Sequence, residues 1–81
     1  MTEQQKFMGR LQELKNKSQN LKLQIEGLRD ALRDNLDPFE PVEDLKDEMI
    51  SIQGIEVHKK IISYREVLAE IKQAKRILGG S

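Results

Sequence analysis

Apolar residues in the first part of the chain recur at alternating spacings of four and three. The positions with this spacing are Phe7, Leu11, Leu14, Ser18, Leu21, Ile25, Leu28, Leu32 and Asn35. Seven of these nine positions are apolar. A heptad pattern sustained over this length is typical of one long helix with a narrow contact seam.

The ends of this first helix are marked by local signals. Thr2 and Gln5 have the spacing of a capping box, which predicts that the helix begins near residue 3. Pro38 disfavours helical backbone geometry at the residue before it, so the helix should end shortly before the proline. The sequence therefore predicts a helix over 3–35 and a turn over 36–40.

A second heptad pattern follows the turn. Its positions are Ile50, Gly54, Val57, Ile61, Tyr64, Leu68, Ile71, Lys75 and Leu78. Pro41 suits the first turn of a helix, where its missing N–H has no intrahelical partner to lose. Gly79 follows a basic last turn and suits a helix end. We therefore predict a helix over 41–78 and a short Gly-Gly-Ser tail over 79–81.

Two helices of similar length joined by a short turn are expected to lie antiparallel. The predicted fold is all-α, a single coiled-coil-like helical hairpin over the 81 residues of the chain. The composition agrees, because 37% hydrophobic and 35% charged residues suit solvent-washed amphipathic helices better than a deep core.

Three details of the hairpin follow from the spacing. Residues 50–57 alternate apolar and polar side chains around Gly54, so a short β-hairpin stays open beside the preferred continuous helix. With a turn near residue 38, Ser18 should lie opposite residues 57–60, which suggests either a close helix contact near Gly54 or an ordinary serine near the surface. Phe39 lies between two prolines and is expected to close the end of the hairpin.

The second helix carries more apolar residues than one neighbouring helix would cover. The predicted oligomer interface comprises Met49, Ile52, Ile55 and Ile62. Isolated hairpins would leave these side chains in water, which favours association. We expect a homo-oligomer, most simply a dimer that forms a four-helix bundle, or else a complex with another helical protein.

Charge is balanced over the whole chain but not along it. There are 14 basic and 14 acidic residues, whereas 37–48 holds six acids and one base. Basic residues predominate in 1–22 and in 57–81. A hairpin would thus have an acidic turn and a basic open end, which favours head-to-tail pairing. The residues that could contact nucleic acid at the open end are Lys6, Arg10, Lys72, Lys75 and Arg76.

The predicted architecture resembles two known families. In architecture and length the hairpin is similar to the plasmid copy-number RNA-binding repressor, a helical hairpin that dimerises into a four-helix bundle. The turn between Pro38 and Pro41 resembles the proline-bounded turn of type III secretion needle subunits. No sequence motif carries either resemblance, so no functional residue is transferred from them.

The chain offers little material for catalysis. It has no cysteine, which excludes disulfides, thiolate nucleophiles and cysteine metal sites. His58 is its single imidazole and lies in a basic run, where a solvated or interface side chain is expected. Asp44, Asp47 and Glu48 share a helical face and are expected to be solvated, so no metal or cofactor is predicted.

No targeting signal and no membrane-spanning run are visible, which favours a cytoplasmic protein. The sequence thus predicts a non-enzymatic interaction protein, a small adaptor, chaperone or assembly factor acting through coiled-coil surfaces. The alternative is a dimeric nucleic-acid-binding regulator that uses the basic open end.

Overall fold

The first helix begins at the predicted capping box. A computed structural model describes residues 2–79, and helix α1 spans Glu3–Asn35. The Gln5 N–H donates to Thr2 Oγ1 over 3.3 Å, and the Thr2 N–H donates to Gln5 Oε1 over 3.1 Å. These reciprocal bonds satisfy backbone and side-chain groups that a helix start would otherwise leave unpaired. The observed bounds agree with those predicted from the heptad pattern.

The second helix, α2, spans Asp47–Ile77 and not 41–78 as predicted. Pro41 instead precedes a single 3₁₀ turn, Val42–Asp44. Leu45 then adopts an extended conformation, with φ −64° and ψ 138°, which interrupts helical hydrogen bonding between the 3₁₀ turn and α2. The prediction failed because proline at a helix start signals only a first turn and does not ensure that the helix continues.

The turn also differs from the prediction in its side chains. The Phe39 N–H donates to Asp37 Oδ1 over 2.9 Å, and the Glu40 N–H donates to the Asp37 carbonyl over 3.1 Å. This tight local turn leaves Phe39 94% exposed, so it does not close the end of the hairpin. Leu45 is the half-buried apolar residue of the connection.

Helix α2 is continuous from its start to a glycine stop. Residues 50–57 are helical, so the β-hairpin alternative is wrong, and residues 2–79 contain no strand. A Cβ added at Gly54 would meet no heavy atom within 4 Å, so the predicted close helix contact there is also wrong. At the other end Gly79 has φ 75°, the left-handed conformation that favours glycine after a helix. Gly80 and Ser81 of the predicted tail lie outside the described residues.

The two helices pack against each other as an antiparallel hairpin, a rod of 60 × 19 × 17 Å. The all-α hairpin prediction is therefore confirmed. Among the residues that the structure describes, three side chains are buried, namely Leu14, Val67 and Ala74. Most other seam positions are half-buried. A single layer of two helices can bury little more than one stripe of each.

The seam of α2 changes position toward its end. Val67 and Ala74 are buried, whereas the predicted seam residues Leu68 and Lys75 are exposed. A contact stripe shifted by one residue admits the small Ala74 and keeps the Lys75 ammonium in water, which avoids burying an unpaired charge. Lys75 therefore does not interrupt the seam.

The register between the helices also corrects the prediction for Ser18. Arg10 contacts Glu70, and Gln24 contacts Lys60, so Ser18 lies level with a position between residues 60 and 70, beyond the predicted range of 57–60. The connection is longer than the predicted turn, because α2 starts late, and the longer connection shifts every facing pair. The Ser18 hydroxyl donates to the Lys15 carbonyl over 2.7 Å, so it is satisfied within its own helix.

Candidate interaction surfaces

Polar bridges join the helices along one side of the seam. They are Arg10 Nη2 to Glu70 Oε2 at 3.1 Å, Lys60 Nζ to Gln24 Oε1 at 2.8 Å, and Asn35 Nδ2 to Gln53 Oε1 at 2.8 Å. The α1 members of these pairs are separated by about four and about three helical turns, so they share one side of α1. We call this side of the rod the bridged side.

The other side of the seam is an open groove of about 610 Å³, which we call the basic groove. Its lining residues are Lys22, Ile25, Glu26, Arg29, Ile61, Tyr64, Arg65 and Leu68. Gln24, on the bridged side, is two residues from Lys22 and two residues from Glu26. Two residues correspond to about 200° around a helix, so both groove residues lie nearly opposite Gln24 on α1. The bridges and the groove are thus on opposite sides of the rod.

The basic groove has an apolar floor and mostly basic edges. Lys22, Arg29 and Arg65 line it together with one acid, Glu26. Lys15 lies one heptad before Lys22 and lines the next depression toward the open end of the hairpin. The basic edge therefore continues along α1 beyond the groove itself.

On α2 the basic edge continues in the same way. Lys72 follows Arg65 by one heptad, and His58 precedes Arg65 by one heptad; all three are exposed. Residues one heptad apart share a side of a helix. Sequence reasoning missed this groove, although its signal was present in the heptad spacing of Lys15, Lys22 and Arg29.

The predicted interface residues form a second surface, which we call the α2 outer patch. Met49, Ile52, Ile55 and Ile62 are between 43% and 59% exposed. Spacings of three and seven place Ile52, Ile55 and Ile62 in one stripe about 80° wide along α2, and Met49 lies about 60° further around the helix from Ile52. Ile55 is two residues from the half-buried Val57, about 200° around the helix, so the stripe faces away from α1.

Acidic residues accompany the α2 outer patch. Glu48 and Glu56 are each four residues from Ile52, and Glu66 is four residues from Ile62. Side chains four residues apart are neighbours on a helix surface. Lys59 is the base within this stripe. The patch thus combines isoleucines with three acids and one base, while Arg65, three residues from Ile62, lies on the flank between the patch and the groove. The basic groove combines its apolar floor with three bases, Arg65 among them, and one acid.

The residues predicted to contact nucleic acid do not share one surface. All five are exposed at the open end, but Arg10 is bound to Glu70 at 3.1 Å and lies 3.8 Å from Glu13. Lys6 precedes Arg10 by one turn on the bridged side. Lys72 instead continues the basic edge on the opposite side of the rod. The open end therefore divides its basic residues between two sides.

The remaining candidates form no further site. His58 is exposed on α2. Within residues 2–79, no three carboxylate, imidazole or thiolate side chains come together as a metal-binding group. Neither helix in that part of the chain combines the length and apolarity needed to cross a bilayer.

Comparisons of the chain with protein-family models, with curated proteins and with solved structures give no match.

Proposed function

We propose that this protein acts by binding and not by catalysis, as a small adaptor, chaperone or assembly factor that works through its helical surfaces and self-associates. The observation that carries this proposal is the α2 outer patch. Three buried side chains form the described core, yet four large apolar residues are exposed on the outside of α2, three of them isoleucines in one stripe.

The energetic reason is the exposed apolar surface. Removing apolar surface from water gives about 25 cal/mol per Å², so a continuous stripe of isoleucines favours association. One side of the whole rod measures 60 × 19 Å, which leaves room around the patch for the roughly 800 Å² per partner that a standard interface buries. Contact with one further copy of the chain is enough to cover the patch of a given copy.

The test is the mass of the protein in solution. Sedimentation equilibrium should report twice 9.4 kDa or a higher multiple. The protein concentration should extend to about 0.1 mM. At that concentration about half of the chains are associated even when the free energy of association is only about −5.5 kcal/mol. A 9.4 kDa monomer throughout this range would refute self-association.

A matched pair of variants locates the contact. Ile55→Glu places a charge in the α2 outer patch, and Ile77→Glu places the same charge on α2 about 33 Å further along the helix. The two isoleucines are 53% and 55% exposed, so the substitutions have similar effects on the isolated hairpin. Only Ile55→Glu should weaken the association, and equal effects of the two variants would argue against the patch.

A further inference from the structure

We propose that the self-association is heterologous, with the α2 outer patch of one copy lying in the basic groove of the next copy. This inference rests on the proposed function, because it assigns the two surfaces that meet when the protein associates. The partner is thus a second copy of this chain, presented as an amphipathic helix face.

Charge complementarity selects this pairing. The basic groove carries Lys22, Arg29 and Arg65 around its apolar floor. The α2 outer patch carries three glutamates within one helical turn of its isoleucines, at positions 48, 56 and 66. Lys59 in the patch and Glu26 in the groove have the opposite sign, so acids predominate in the patch and bases predominate in the groove. A patch seated in a groove brings acids beside bases around an apolar contact.

Pairing of identical surfaces is disfavoured by the same charges. Two grooves face to face would set their arginines and lysines against one another, and two patches would set glutamates against glutamates. Like charges in close apposition are destabilising, and wrong pairings are suppressed in this way at protein interfaces. An isologous interface on either surface therefore lacks the complementarity that the heterologous one has.

The dimensions of the two surfaces also agree. The isoleucines of the patch extend from Ile52 to Ile62, about 15 Å along α2. The basic edge from Lys15 to Arg29 extends about 21 Å along α1. The isoleucine spacings of three and seven are those of a helix laid in a groove. Ile61, Tyr64 and Leu68 supply apolar contacts for them on the groove floor of α2.

A heterologous contact has a consequence that an isologous dimer lacks. Each assembled pair leaves one groove free on the first copy and one patch free on the second. Further copies can add to both, so the assembly grows with concentration unless the rotation between copies closes a ring. We therefore expect the average mass of the wild-type protein to keep rising beyond that of a dimer.

The experiment combines two variants, each deficient in one surface. Ile55→Glu disables the patch and leaves the groove intact, whereas Leu68→Glu disables the groove and leaves the patch intact. Each variant alone should associate at least about tenfold more weakly than the wild type. Mixed in equal amounts, they should form a one-to-one dimer of twice 9.4 kDa that does not grow further.

Controls separate surface effects from misfolding. Leu23 and Ile77 are 57% and 55% exposed and lie outside both surfaces, so Leu23→Glu and Ile77→Glu should associate like the wild type. Circular dichroism reports whether each variant keeps its helices. Should Leu68→Glu lose them, the exposed Arg29, which lines the groove from α1, replaces it as the target, and Arg29→Glu takes its place in the mixture.

The outcomes distinguish the two proposals. If the wild type is monomeric, the proposed self-association and the heterologous inference are both wrong. If Ile55→Glu abolishes association while the folded groove variant associates normally, the protein self-associates through its patches, and the heterologous inference is wrong. If both variants are monomeric and their mixture forms no dimer, the heterologous inference is again refuted.

Discussion

Replacing Leu14 with alanine should destabilise the hairpin by about 2–3 kcal/mol, near the lower end of the usual range for a buried leucine. Leu14 is 4% exposed and belongs to the small set of buried side chains that the structure describes. The value lies at the lower end because the neighbouring seam positions are half-buried, so helices and water can move toward the space that the isobutyl group leaves.

Leu23 provides the matched control for this measurement. It lies in the same helix and would undergo the same chemical change, but it is 57% exposed. Less than half of its side chain is removed from water, so Leu23→Ala should cost less than about 1 kcal/mol. Alanine is also a slightly better helix former than leucine, which reduces the cost further.

Thermal unfolding followed by circular dichroism measures both costs. For a domain of 60–100 residues, 1 kcal/mol corresponds to about 4–8 °C in Tm, so Leu14→Ala should lower Tm by roughly 8–24 °C. All samples should be compared at one protein concentration, because self-association makes Tm depend on concentration.

Equal costs for the two substitutions would refute this reasoning. A loss of less than about 1 kcal/mol at Leu14 would mean that the seam contributes little to the stability of the hairpin. A large loss at Leu23 that grows with protein concentration would instead place that leucine in an interface between copies.

Gly54→Ala and Gly27→Ala should each raise the free energy of unfolding by about 0.5–1 kcal/mol, because neither added Cβ meets a neighbour. Urea unfolding measures both, and a loss of stability for Gly54→Ala alone would reveal a close contact there. With a cysteine replacing Glu40 in one sample and Met8 in another, oxidation should crosslink the mixture more efficiently than either sample alone, and strong disulfide formation between two Glu40→Cys chains would contradict head-to-tail packing. His58→Gln should leave helicity and association unchanged in circular dichroism and sedimentation, and loss of association with helicity intact would assign the histidine a role.

The parts of the fold that depend on local signals were predictable from the sequence. The capping box of Thr2 and Gln5 sets the start of α1, and the glycine after the basic last turn sets the end of α2. The all-α hairpin follows from two heptad patterns around a proline-containing break. In each case residues near one another in the chain determine the structure.

The register and the seam shift depend on contacts that no local pattern specifies. The extended backbone at Leu45 delays the start of α2, and this change moves every facing pair, including the one expected for Ser18. Likewise, Ala74 and not Lys75 lies at the seam, because burying a methyl group avoids the cost of burying an unpaired charge. Which of the two residues faces α1 depends on how α2 packs against it. Such choices require the position of the second helix.

The candidate site was predictable in part. The apolar residues of the α2 outer patch were identified from their spacing beside the seam, and their exposure agrees with that expectation. The basic groove does not follow from the distribution of charge along the rod, because its bases differ from the acids of the patch in their position around the rod. Only the polar bridges, such as Asn35 to Gln53, establish which side of the seam is closed and which is open.

The net charge of the chain is zero, but its charges are separated in two ways. Along the rod the turn is acidic and the open end is basic, and around the rod the patch is acidic and the groove is basic. Exposed ion pairs contribute only about 0–1 kcal/mol each, and salt screens them within about 10 Å, so these charges cannot supply most of the affinity between copies. The isoleucines of the patch and the apolar groove floor must supply it. The charges instead determine which surfaces meet and in which direction. Added salt should consequently weaken the preference of patch for groove more than it weakens association itself, since burial of apolar surface does not depend on screening.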